Sequence, residues 1–128
     1  MGKAIFDNLL LLKDAGAIVA SGAATVAGQA RVLDLGTGMI EGKMVIDSSA
    51  VDVADANETY RVALQGCNAI GFGSNVVELA SADMKATGRR EVPFTNEQGA
   101  TRYRYMRLFT TVSGTTPSIN STAFLTKR

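Results

Sequence analysis

A chain of 128 residues, 46% hydrophobic but only 6% aromatic, is long enough for one domain whose core is built from Val, Leu, Ile and Ala. A formal net charge of +1 supplies no global pull toward nucleic acid or an anionic membrane. With no histidine and a single cysteine, Cys67, the composition excludes histidine-based triads, an internal disulfide and a cysteine-rich zinc site.

Met1 to Lys13 carries Ile5, Phe6, Leu9, Leu10, Leu11 and Leu12, and reads as a short amphipathic arm. Lys3 followed by apolar residues resembles the start of a signal peptide, but Asp7 and the Lys13-Asp14 pair interrupt any apolar core region. No stretch reaches the ~18 uninterrupted apolar residues of a membrane-spanning helix. Residues 15–30 are Ala, Gly, Ser, Thr and Val for the most part, and Gly16, Gly22 and Gly28 recur too often for a stable helix. This stretch reads as extended chain, with one strand around Ala17 to Ala20 and another around Ala24 to Ala27.

Arg31-Val-Leu-Asp-Leu-Gly-Thr-Gly38 resembles the glycine loop of nucleotide-dependent methyltransferases, where a strand ends in glycines so that backbone can approach the cofactor. Ile40 occupies the third glycine position and no helical pattern follows, so a strand ending in a glycine turn accounts for the same residues. From Gly42 onward the strand signals come at regular intervals. Met44 and Ile46 face one way and Val45 the other; Val51 and Val53 mark a further piece. Tyr60, Val62 and Leu64 alternate with Thr59, Arg61 and Gln65, residues 66–75 form a loop, and residues 76–80 and 91–95 give two more strands.

Arg102 to Val112 alternates again, with Met106, Leu108 and Thr110 on one face and Tyr105, Arg107 and Phe109 on the other. Gly114 and Pro117 interrupt it before Ile119 to Thr126 resumes, which predicts a β-hairpin or strand-loop-strand closing the domain. Short strands at steady spacing, separated by turn residues, make the fold class all-β, a sandwich or barrel.

Three constellations invite a chemical reading. Asp52, Asp55 and Glu58 cluster like calcium ligands, but their spacing does not match a helix-loop-helix calcium loop and suits solvated turn carboxylates. Arg102, Arg104 and Arg107, interleaved with Tyr103 and Tyr105, resemble a basic-aromatic surface; Arg107 falls on the opposite face from the other two, which argues against a nucleic-acid groove. Cys67 has no basic neighbour in sequence and reads as a buried small residue. No nucleophile stands beside a base, so the reading is of a binding or structural protein, not an enzyme, with no metal and no cofactor.

Several blocks resemble, in the same order, the capsid cement (decoration) proteins of tailed bacteriophages. They are Val32-Leu-Asp-Leu-Gly36, Glu58-Thr-Tyr-Arg-Val-Ala-Leu-Gln-Gly66 with Asn68 and Phe72, and Val92-Pro-Phe-Thr-Asn-Glu97. The strongest runs from Tyr103-Arg-Tyr-Met-Arg-Leu-Phe-Thr-Thr-Val112 through Thr116-Pro-Ser-Ile-Asn120 to Ala123-Phe-Leu125. The resemblance implies an antiparallel jelly-roll sandwich over residues 31–128, preceded at residues 1–30 by an extended N-terminal arm. It further implies a non-catalytic virion protein on the outer surface of an icosahedral capsid, bound to the major capsid protein and to itself. A homodimer is the expectation and a trimer the alternative; neither nucleic acid nor membrane is a partner. The arm residues Ile5, Phe6, Leu9, Leu10, Leu11 and Leu12, with no obvious strand to join, are the expected capsid or oligomer interface. The competing function is a receptor- or glycan-binding β-sandwich domain, which would not need the capsid lattice.

Overall fold

The structure, a computed structural model, describes residues 10–127. The N-terminal part contributes short strands: β1 (Leu11–Lys13), β2 (Ala17–Ile18), β3 (Gly22–Ala23), β4 (Thr25–Val26), β5 (Gln29–Ala30) and β6 (Leu33–Asp34). The body follows with β7 (Glu41–Val51), β8 (Thr59–Cys67), β9 (Val77–Asp83), β10 (Gly88–Thr95), β11 (Glu97–Gln98), β12 (Thr101–Arg102), β13 (Tyr105–Ser113) and β14 (Ile119–Lys127). All pairings among them are antiparallel.

Two sheets form. In sheet A the order is β1-β14-β7-β10, with β2 beside β1 along the same edge of β14; in sheet B it is β3-β13-β8-β9, with β6 likewise on β13. The pairings are nested in sequence: β1 with β14, β3 with β13, β7 with β10, and β8 with β9. The chain therefore behaves as one long hairpin wrapped around a core. Within the body it passes from one sheet to the other between β7 and β8, between β9 and β10, between β10 and β13, and between β13 and β14, and in the N-terminal part between β2 and β3 and between β6 and β7.

Period-2 alternation decides what each strand buries. Met44 and Ile46 of β7, Tyr60, Val62 and Leu64 of β8, Met106 and Leu108 of β13, and Ile119, Ala123 and Leu125 of β14 meet in one cluster between the sheets. Tyr60 also uses its polar tip: its hydroxyl donates to the Asp52 carbonyl and accepts from Ser118 N–H at 2.9 Å, tying two crossings together. The edge strand β10 carries Pro93, opposite Lys43, at a position whose missing N–H a central strand could not tolerate.

The expected closing hairpin is corrected here. β13 and β14 do not pair; they lie in opposite sheets, joined by a crossing over residues 114–118. Gly114 turns the chain at φ +108°, with backbone so close that an added Cβ would stand 2.6 Å from the Glu58 Cα. Asn57 holds the crossing from below, its Oδ1 accepting from Thr115 N–H and its Nδ2 donating to Thr115 Oγ1, both at 3.1 Å. Val51 likewise belongs to the same long strand as Lys43 to Asp47.

Leu11 and Leu12 do have a strand to join. β1 pairs with β14, Leu11 opposite Phe124 and Lys13 opposite Ala123. Leu12 is fully buried in the main core, and Leu11 packs with Val45 and Phe124 on the outer face of sheet A, under Val26. Burying a side chain like Leu12 contributes roughly 1.5–3 kcal/mol. Val26 reaches this face on a two-residue hairpin whose turn residues, Ala27 and Gly28, both take positive φ, 53° and 78°. Asp14 supports the strained alanine by accepting its N–H at 2.7 Å.

Candidate interaction surface

The outer face of sheet B collects the cationic and aromatic residues of β13. Tyr105, Arg107 and Phe109 point away from the core because Met106, Leu108 and Thr110 point into it. β8 lies alongside in register, Gln65 opposite Arg107 and Ala63 opposite Phe109. The loop over residues 68–76 folds back onto this face, fastened by local polar contacts. Asn68 donates to the Arg102 carbonyl and accepts from Arg104 N–H, each at 2.9 Å. The buried Cys67 thiol donates to the Ser74 carbonyl at 3.1 Å and accepts from Ala69 N–H at 3.3 Å. Phe72, at a positive φ of 52° that a bulky residue seldom adopts, is thereby pressed down until it is buried.

Arg107 sits between two rings. Its guanidinium carbon is 4.5 Å from the centre of the Phe72 ring and 5.7 Å from that of Phe109, and its Nε donates to Gln65 Oε1 at 2.8 Å. The neighbouring arginines are committed differently. Arg104 grips Asp34 through two parallel bonds of 2.7 and 2.9 Å and lies over the Tyr105 ring at 5.2 Å. That grip, helped by Gly36 N–H, holds the Asp34 carboxyl below its ordinary value and raises the guanidinium of Arg104. Arg102 is not on β13; it stands on the small β11–β12 hairpin and pairs with Glu97 at 3.1 Å. Arg61 bridges Glu78 at 2.7 Å and Asp83 at 3.7 Å.

The remaining candidates go elsewhere. Asp52 caps its own turn by accepting Ala54 N–H at 2.9 Å, and Glu58 accepts Asp55 N–H at 3.2 Å, so the carboxylates of Asp52 and Glu58 serve a turn. Among the described residues no group of three or more His, Cys, Asp or Glu could hold a metal ion. Asp34 and Gly36 form a strand-ending turn, and the long strand β7 follows where a cofactor-binding helix would have to begin. Of the expected interface residues, Leu10 is half-buried against the main core, Leu11 and Leu12 are buried within the chain, and Ile5, Phe6 and Leu9 lie outside the described residues. Leu11 and Leu12 therefore pack within the sandwich of this chain.

Sequence reasoning missed the role of Asn96. It is fully buried: Oδ1 accepts from Ile40 N–H at 2.8 Å, and Nδ2 donates to the Gly38 carbonyl at 2.9 Å and the Tyr103 carbonyl at 3.2 Å. It stitches the loop before β7 to the turn before β13. The signal available was its place immediately after β10, opposite a glycine-rich loop, but nothing local shows that the two meet.

These features define an all-β antiparallel sandwich carrying one cation-aromatic surface and no assembled reactive set among the described residues. No protein-family model matches the chain, and no curated protein matches it. Among the described residues no helix is long and apolar enough to cross a membrane.

Proposed function

We propose that this chain is a capsid cement protein of a tailed bacteriophage, a non-enzymatic part of the virion that binds the outer surface of the icosahedral shell. The observation that carries the reading is the strand order. Two four-membered paths, β1-β14-β7-β10 and β3-β13-β8-β9, with pairs nested from the ends of the chain inward, support a jelly roll, the architecture the ordered resemblance implies. The resembling blocks also fall on features that build this fold: Met106 and Leu108 in the core, Asn68 and Phe72 fastening the loop, and Asn96 stitching one end of the sandwich.

The mechanism is additive. Each copy, paired with a second, spans a seam between neighbouring major capsid proteins, so that opening the seam also breaks cement contacts. Repetition over the lattice multiplies a modest affinity per site, and preference for the mature shell stabilises that shell by mass action.

The test is to mix the purified protein with shells of the cognate major capsid protein, before and after maturation, pellet the shells and count bound copies per subunit. Saturable binding at a fixed ratio, stronger on mature shells, is expected. Absence of pelleting at saturating concentrations overturns the proposal.

A further inference from the structure

We propose that Arg107 is the anchor by which the outer face of sheet B captures a carboxylate of the shell, an Asp or Glu side chain of the major capsid protein flanked by apolar residues. This rests on the cement reading above.

Arg107 differs from its neighbours in what it lacks. Among the described residues, Arg61, Arg89, Arg102 and Arg104 each pair with a carboxylate of this chain. Arg107 has none: Nε is spent on a neutral amide oxygen, and its two terminal nitrogens have no protein acceptor among the described residues. The acids of the same face are already taken, since Glu78 and Asp83 both face Arg61. Arg107 thus keeps two terminal donors without a carboxylate of its own, on a face whose acids are engaged by Arg61.

Next comes what holds it. Phe72 and Phe109 fix the plane of the guanidinium, and Gln65 fixes its rotation. A fork so held loses little freedom when it closes on a second planar group, and two parallel N–H donors match the two oxygens of a carboxylate. The rings of Phe72 and Phe109, buried and half-buried, lower the local dielectric, which strengthens an ion pair formed beside them. Tyr105 and Phe109, also half-buried, offer apolar area around the anchor for the residues flanking the acid. Charge complementarity therefore selects an acidic occupant, and the aromatic rim selects apolar neighbours for it.

The experiment compares wild type with Arg107→Met, which keeps the stem packed between the rings but removes the charge, and with Arg90→Gln. Arg90 is an exposed arginine on β10 that donates to the Asp83 carbonyl at 3.1 Å, and it serves as a charge-matched control. Thermal melts establish that all three are folded, and mature-shell pelleting is read at low and raised salt. The expected result is an affinity loss of about ten-fold or more for Arg107→Met, a weaker salt dependence than wild type, and near-wild-type binding for Arg90→Gln. Wild-type pelleting that Arg107→Met matches at both salt levels overturns the anchor alone and leaves the cement role standing. Failure of wild type itself to pellet overturns both.

Discussion

Ser48 sits on β7 opposite Ser121 of β14, both buried, and its hydroxyl is the one buried side-chain polar atom without a hydrogen-bond partner among the described residues. A hydroxyl withdrawn from water and left unpaired opposes folding, whereas removing it leaves a methyl of nearly the same shape. Ser48→Ala should therefore stabilise the protein by about 1 kcal/mol, seen as a higher urea midpoint at unchanged slope. A lower midpoint would mean that the hydroxyl holds something in the native state. The same accounting separates Arg107 from its neighbours: where Arg104 is saturated by Asp34, Arg107 has donors to spare, and that difference singles it out on this surface.

Elements here are joined more by side-chain staples than by regular turns. Asn96 is the clearest, since it satisfies one N–H and two carbonyls of loops that have no ladder of their own. Asn96→Ala strips all three partners inside a buried site, and a loss of about 2–4 kcal/mol is expected from chemical denaturation. Hydrogen exchange should accelerate at Ile40 N–H before it does at the central amides of β7; equal protection in wild type and variant would remove the staple role. Such contacts also explain which parts of the fold were legible. The alternation of Met106, Leu108 and Thr110 against Tyr105, Arg107 and Phe109 was readable, because period 2 is a property of one strand. Which sheet a strand joins was not: Gly114 and Pro117 mark a reversal equally well for a hairpin and for a crossing between sheets. Leu11 and Leu12 resemble an arm in the sequence because a strand buried on both faces has no alternation to show. The stacking of Phe72 on Arg107 depends on a loop folding back from a distant part of the chain, which no local pattern announces.

At the scale of the whole molecule, the N-terminal strands close the sandwich by lining the free edges of β14 and β13, and Lys13 is the pin that holds the first of them. Although only 3% exposed, it spends its ammonium on three backbone carbonyls, Ser121 at 2.7 Å, Asp14 at 2.9 Å and Gly16 at 3.0 Å. Burial pushes this amine below its ordinary value, with the adjacent Asp14 carboxylate acting in the opposite direction. The native state consequently releases the Lys13 proton at a lower pH than the unfolded chain does. Between that point and the ordinary lysine value of 10.5, the unfolded state binds more protons, so the contribution of Lys13 to stability rises with pH and levels off above 10.5. Lys13→Met lacks this dependence. The difference in unfolding free energy, wild type minus variant, should grow as alkaline pH is approached in parallel denaturation series. A difference that shrinks over that range would mean that the carbonyl cage and Asp14 outweigh desolvation, making the charged amine a net support of the N-terminal strand.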